Sequence, residues 1–362
     1  MEKYYVFFSY SVGIGPKTFL KLLSKFETAE NIYNAPEKEL ENAGLKGKNL
    51  EKYLKFKKEF DLKKILLEIK RKNIWVLTYE EFPEGIKNIS NPPIVLFGRG
   101  DKSLVFKTGV GIVGSRRPTS YGVSVTENFT RDFVENGLII ISGMALGIDS
   151  IAHRTCLKQK GKTIAVLGSG VDLPTPSEHM RLYEEIIKNG GAVVSEFPLG
   201  MIPNKGSFPS RNRIISALSF AILIPEATSD SGALITAKEA FAQNRKVFVV
   251  PGPITSSLSK GTNGLLSRGG IPVADAKEII KELNLKPKTK NLKNKIDGLN
   301  LSKDERKVCK TIENESLEID KIVRITKIPV GKLMVILTGL ELRNIIKNND
   351  GKFGITQLQE IG

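Results

Sequence analysis

"GIVGSRRPTSYG", Gly111 to Gly122, is a short apolar run that breaks at a glycine and passes into a helix-length segment. Such a passage is the signature of the first strand and turn of a nucleotide-binding α/β fold. The spacing is not G-x-G-x-x-G, however, and Arg116 and Arg117 stand where a cofactor loop keeps small residues. Two guanidiniums at that turn would crowd a dinucleotide pyrophosphate, so the loop calls for a different anion.

On both sides of this stretch the same rhythm repeats. The runs "IWVLTY", "PIVLFG", "GVGIVGS", "GLIIISG", "KTIAVLGSG", "GAVVSEFP", "FAILIPE" and "KVFVVPG" are rich in β-branched residues and fall between residues 73 and 283. Amphipathic stretches near 120–135, 148–160, 178–189 and 231–244 separate the later ones. Unbroken apolar strands with helical crossovers mean a parallel sheet covered on both faces. The expected fold is therefore α/β, an extended Rossmann-like parallel sheet with extra strands at its leading edge.

The two ends read differently. Residues 1–72 are helical, and "SVGIGPKTFLKLL" and "NAGLKGKNLEKYL" each open a lysine-bearing helix after a glycine turn (Gly13 and Gly15, Gly44 and Gly47). A helix-hairpin-helix module would offer such turns to DNA phosphate, and a purely structural helical hairpin would look the same. Residues 284–300 are rich in lysine and asparagine and read as a flexible linker. In 301–362, three helical patterns near 302–313, 317–325 and 329–341 precede two short strands about Asp350-Gly351, which reads as a winged helix. Its third helix carries only Lys332 and is otherwise largely apolar, which suits a protein partner better than DNA.

With 362 residues the chain has room for roughly two or three domains. No apolar run approaches the length of a membrane span, and the first residues lack the basic and apolar blocks of a signal peptide. Cys156 and Cys309 are the only cysteines and form no C-x-x-C, so a reducing cytoplasm is expected and no disulfide framework. The formal charge of +16 favours polyanionic partners, chiefly nucleic acid, although a lysine-rich solvated surface would give the same sum.

In an open parallel sheet, ligands bind beyond the carboxyl ends of the strands. Here those ends carry Ser115-Arg116-Arg117, "GMALGID" with Gly143 and Gly147, "GSGVD" with Gly168, Ser169 and Gly170, and the long loop "LGMIPNKGSFPSRNRII". "ATSDSGALITA" and "PITSSLSKGTNGLL", with Lys260, follow the last two runs. Glycines admit close approach of phosphate, and helix N-termini supply amide donors. Several such turns on one sheet edge point to a phosphorylated ligand. Lys205, Arg211 and Arg213 add cations and Phe208 an aromatic face ahead of a helix starting near Pro209. Basic residues interleaved with an aromatic suit single-stranded nucleic acid, where charge follows the backbone and stacking holds the bases.

The stretches "GIVGSRRPTSYG", "ISGMALGIDSIAH", "GSGVD", "SEFPLG", "FPSRNRIISALS", "SGALITAKEA", "VPGPI" and "KGTNGLLSRGG" resemble, in order, the DNA-processing protein A (DprA/Smf) family over roughly residues 75–275. The resemblance implies a single-stranded DNA-binding protein that forms homodimers and helps load the RecA recombinase, without catalysis or cofactor. Carried over by motif, it places a DNA-contacting arginine at Arg116, a lysine at Lys205 and a base-contacting phenylalanine at Phe208. The family often has a tyrosine and an asparagine where this chain has Thr175 and His179.

Enzyme readings have less to stand on. Asp149 and His153 would share a helix face, but no G-x-S-x-G accompanies them, and a packed histidine behind a first-turn acid explains both. Two separated histidines and two cysteines speak against a zinc or iron site, and there is no P-loop motif. The rival reading is a Rossmann-like nucleoside monophosphate hydrolase of the lysine-decarboxylase-like type, with Glu226 and Glu239 as catalytic groups. Strand-end capping and solvation account for those two carboxylates equally well.

Overall fold

Strand formation follows the apolar runs closely. In the computed structural model, which describes residues 1–107, 109–283, 301–312, 317–343, 345–349 and 351–355, the strands are β1 (Trp75–Thr78), β2 (Val95–Gly100), β3 (Gly109–Ile112), β4 (Ile139–Ser142), β5 (Thr163–Val166), β6 (Ala192–Ser195), β7 (Ala221–Ile224), β8 (Lys246–Val249) and β9 (Ile271–Pro272). They form one sheet in the order β1-β2-β6-β5-β4-β3-β7-β8-β9. Strands β3 to β9 pair in parallel, whereas β1 with β2 and β2 with β6 are antiparallel. Every residue of β3, β4, β5, β6 and β7 is buried, because helices cover both faces. The order reverses at β3, which has β4 on one side and β7 on the other.

Six helices precede the sheet: α1 (Glu2–Tyr10), α2 (Pro16–Phe26), α3 (Ala29–Asn34), α4 (Glu37–Asn42), α5 (Lys48–Glu59) and α6 (Leu62–Arg71). Tyr4 to Phe8 of α1 are all buried, as expected of a helix that is apolar all round. Phe7 alone meets the rings of Tyr33, Phe56 and Phe60 at 4.9, 5.3 and 5.7 Å. This aromatic core runs on into Val95, Phe97, Ala165 and Val193 of the sheet, so helices and sheet share one apolar cluster. Gly13 sits at φ 96°, and a Cβ there would lie 2.4 Å from the Asn49 carbonyl oxygen. The first glycine turn thus packs on the start of α5, just past the second.

The helices between and after the strands are α7 (Glu84–Lys87), α8 (Ser120–Glu135), α9 (Ile148–Lys158), α10 (Met180–Lys188), α11 (Ser207–Leu218), α12 (Ala233–Ala242), α13 (Lys260–Leu266) and α14 (Ala276–Glu282). Within the long loop the helix begins at Ser207, with Pro209 in the first turn, where its missing N–H leaves no bond unmade.

Two compact units divide the chain, Met1–Lys288 and Thr289–Gly362. The linker expected at 284–300 lies outside the described residues. In the second unit α15 (Lys303–Thr311), α16 (Ile319–Thr326) and α17 (Val330–Leu342) pack with β10 (Leu317–Glu318), β11 (Ile346–Asn349) and β12 (Lys352–Ile355). The strand order is β10-β12-β11, a winged helix with one strand more than the sequence suggested. Asp350 of the expected turn also lies outside the described residues. Ser302 and Glu305 close a capping box on α15. On α17, Leu333, Leu337 and Leu340 face the core while Val330, Met334 and Val335 are exposed. Its single cation, Lys332, is paired with Asp304 at 2.5 Å. No helix among the described residues is long and apolar enough to cross a membrane.

Candidate nucleic-acid interface

The turn after β3 is fixed on both sides before any ligand arrives. The Ser115 amide donates to the Glu226 carbonyl at 2.8 Å, and the Ser115 carbonyl accepts from Ile148 at the start of α9. The Ser115 hydroxyl also accepts from the Arg117 amide at 3.1 Å. This bracing leaves the side chains of Arg116 and Arg117 exposed at the carboxyl edge of the sheet. Gly147 closes against the same turn. At φ 75°, a Cβ on it would lie 2.3 Å from the Ser115 carbonyl oxygen, so only glycine lets the two loops approach.

From the other side, α11 brings Phe208 over Gly168, whose added Cβ would touch the ring at 3.1 Å. The Phe208 ring is half-buried, and the Arg116 guanidinium carbon lies 5.8 Å from its centroid. That spacing is within cation–π range. Lys205 is exposed two residues before α11. The structure therefore gathers Arg116, Arg117, Gly147, Gly168, Lys205 and Phe208 around the loops beyond β3, β4, β5 and β6. Lys260 is exposed at the first residue of α13, on the β8 side of the reversal, apart from those loops.

Other residues expected in the site are turned inward, and here the sequence reading is corrected. Arg211 is buried. Its guanidinium donates to the Gly143 carbonyl at 2.6 Å and to the Val166 carbonyl. Gly143 is small to make room for it, since a Cβ would lie 2.3 Å from the guanidinium. Asp149 is buried nearby and accepts from the Gly143 amide at 3.1 Å. Burial raises the Asp149 carboxyl pKa, against the opposing charge of Arg211. Burial likewise lowers the Arg211 pKa to about 10, so the guanidinium is charged at neutral pH. Arg213 is also buried and pairs at 2.6 Å with Glu196, whose carboxylate is nearly covered. Burial raises the Glu196 pKa, and Arg213 opposes that shift. A guanidinium held by an internal carboxylate cannot be spent on a phosphate. The Ser169 hydroxyl is buried too, donating to the Leu173 carbonyl at 2.6 Å, and Gly170 packs against Pro198 and Gly200. Arg211, Arg213, Gly143, Ser169 and Gly170 build the loops; they do not line them.

Asp149 and His153 hold different partners and form no acid–base pair. His153 Nδ1 lies 2.7 Å from the Thr163 hydroxyl, which itself donates to the Ile140 carbonyl. The histidine must then donate through Nδ1–H, leaving buried Nε2 as a bare acceptor without a partner. Burial drives its pKa down to about 3. His179 donates through Nδ1–H to the Met144 carbonyl at 2.8 Å, a bond an asparagine amide could also make.

Sequence reasoning missed the residues that hold the crevice from the side of α1 and α6. The Lys72 ammonium meets Asp172 at 2.5 Å, and the other oxygen of that carboxylate accepts from the Gly200 amide at 2.8 Å. Burial pushes against ionisation of Asp172, but these partners outweigh it and hold the carboxyl below its usual range. The Tyr10 hydroxyl accepts from the Leu199 amide at 2.9 Å. No local sequence signal marks these contacts, because each joins segments remote along the chain.

A cavity of about 470 Å³ lies at the reversal point, lined by Thr119, Tyr121, Glu226, Pro251 and Ser259 among others. Buried Glu226 accepts there from the Thr119 amide at 2.8 Å and the Thr119 hydroxyl at 2.7 Å. A carboxylate thus already occupies the N-terminus of α8, where a Rossmann fold would receive a nucleotide phosphate. This capping role leaves Glu226 poorly placed for hydrolysis of a nucleotide.

The family described as DNA recombination-mediator protein A matches residues 73–284, and the DprA winged helix domain matches residues 297–352. The chain belongs to the DNA recombination-mediator protein A family. It is 33% identical to protein Smf of Synechocystis sp., over 97% of each chain. The X-ray structure of DNA processing protein A from Streptococcus pneumoniae aligns with a TM-score of 0.68 at 29% identity, covering 78% of this chain and 98% of that one. DNA processing protein A of Helicobacter pylori, whose structure is described for its single-stranded DNA binding mode, aligns with a TM-score of 0.54 at 33% identity. That match covers 58% of this chain and 95% of the Helicobacter protein.

Proposed function

We propose that this protein binds single-stranded DNA along the carboxyl edge of its sheet and hands the strand to a RecA-type recombinase. The observation that carries the reading is the Arg116 guanidinium set 5.8 Å from the Phe208 ring, with Lys205 exposed close by. One group neutralises phosphate, the other offers a face to an unpaired base, and the lysine adds charge along the backbone. The single-strand binding described for the Helicobacter relative supports this reading, and the recombination-mediator family supports a part in recombination. The protein acts in the cytoplasm as a homodimer and carries out no catalysis.

The test is fluorescence anisotropy with a labelled single-stranded oligonucleotide across a salt series, competed by duplex and by nucleoside monophosphate. Tight binding that weakens steeply with salt and resists both competitors is the expected result. Weak binding that a monophosphate displaces would point to a nucleotide enzyme, and release of free base would then be assayed. RecA loading is read separately, as faster filament assembly on strand coated with a single-strand-binding protein.

A further inference from the structure

The loops around Arg116 and Phe208 carry apolar side chains that face solvent. Leu146 beyond β4 is 45% exposed, Leu173 beyond β5 is 37% exposed, and Ile202 beyond β6 is 74% exposed. Met180, which opens α10, is exposed as well. These residues stand on loops that are bonded to one another. The Gly170 amide donates to the Met201 carbonyl at 2.9 Å, joining the loops of Leu173 and Ile202. His179 donates to the Met144 carbonyl, joining the start of α10 to the loop of Leu146. Gly168, beneath the Phe208 ring, belongs to the same loop as Leu173. One exposed leucine is ordinary in any protein, but a set of four on adjoining loops at a cationic edge marks a contact surface.

Charge and size decide its occupant. Arg116, Arg117 and Lys205 call for an anion; inorganic phosphate has no apolar face to offer the rim, and a mononucleotide has one base for four side chains. Duplex DNA presents phosphates but keeps the faces of its bases stacked inside. An unpaired strand presents both a phosphate row and poorly hydrated base faces, against which leucine, isoleucine and methionine can lie as they do when wedged between base steps.

We propose that Leu146, Leu173, Met180 and Ile202 form an apolar base platform continuous with Phe208. Successive unpaired bases rest on it while their phosphates face Arg116, Arg117 and Lys205. This rests on the single-stranded DNA reading above and adds a salt-independent part to the affinity, spread over several nucleotides.

The experiment compares the full-length protein with Leu173→Ser, Ile202→Ser and the double variant. Each is titrated by anisotropy against a labelled thymidine oligonucleotide of about 20 nucleotides and an abasic strand of equal length, at several salt concentrations. Ile202 is 74% exposed and Leu173 37%, so the overall fold, checked by circular dichroism, is expected to be kept. Each single variant should lose about fivefold affinity or more for the thymidine strand, with an unaltered salt slope and no loss on the abasic strand. Equal affinity of wild type and double variant for the thymidine strand overturns the platform while leaving the single-strand reading in place. A loss of the same size on the abasic strand also overturns it, by assigning the side chains to backbone contact. Absence of binding by the wild type would remove the DNA reading, and the platform with it.

Discussion

Arg116 and Phe208 meet across the crevice, guanidinium carbon to ring centroid at 5.8 Å, although one stands on the turn after β3 and the other on the first turn of α11. The pair joins a point charge to a flat apolar face, and those two groups leave different marks on a binding isotherm.

Removing the ring should cost affinity alone. Phe208→Ala is expected to lose about 1–3 kcal/mol of single-strand binding with no change in salt slope. Arg116→Ala should weaken binding and also flatten the slope of log K against log salt by roughly 0.7, the single-strand value for one phosphate. Because the two groups lie within cation–π range, the double variant should depart from additivity by roughly 0.5 kcal/mol or more. An unaltered slope for Arg116→Ala would take that residue out of the site.

The inward arginines should behave in the opposite way. Arg211→Ala leaves the Asp149 carboxylate buried without its counter-charge, and roughly 3–5 kcal/mol of folding stability should go with it. Lys205→Ala, at an exposed position, should stay within about 0.5 kcal/mol of wild type in a urea melt yet bind the strand more weakly. If Arg211→Ala melts like wild type, the internal role assigned to it is wrong.

Acid should act through His153. Its pKa falls from about 6.5 in the unfolded chain to about 3 in the fold, so the unfolded state binds the extra proton between those values. The contribution is whole above pH 6.5 and is lost as pH falls towards 3, at up to about 1.4 kcal/mol per pH unit. His153→Gln, which cannot take up a proton, should show a shallower decline of stability over that window in denaturant melts. Parallel curves for variant and wild type would show that other groups govern the acid limb.

Gly147→Ala probes the packing of the two loops. The new Cβ would meet the Ser115 carbonyl oxygen at 2.3 Å with the backbone at φ 75°, so stability should drop by more than about 1 kcal/mol. Since Ser115 anchors the turn of Arg116, single-strand affinity should fall as well. A calorimetric Tm equal to that of wild type would show that the loop yields without strain.

Much of this was readable from the chain, for a physical reason. Strands β3 to β8 are buried along nearly their whole length, so their apolar character is continuous and needs no partner to be seen. The exposure of Arg116 and Lys205 was legible because a charged side chain in a turn or in the loop before a helix faces solvent unless something folds over it. Arg211 and Arg213 were not, since "KGSFPSRNR" has the composition of a basic loop, and what turns its arginines inward is the Gly143 and Val166 carbonyls, with the Asp149 charge behind them, and Glu196 beyond β6. Charge is written in sequence, whereas the carboxylate that consumes it arrives only with the tertiary fold. The two-residue strands β9 and β10 are too short to carry any periodicity.

The contacts of Tyr10 with Leu199 and of Lys72 with Asp172 give the leading helices a mechanical meaning. They act as a splint on the outer wall of the crevice. A chain trimmed to start at Asn73 would lose both struts and wet the flank formed by Val95, Phe97 and Leu167. Anyone transplanting this crevice onto another scaffold has to carry the splint with it, because the rigidity of the wall is supplied from outside the sheet.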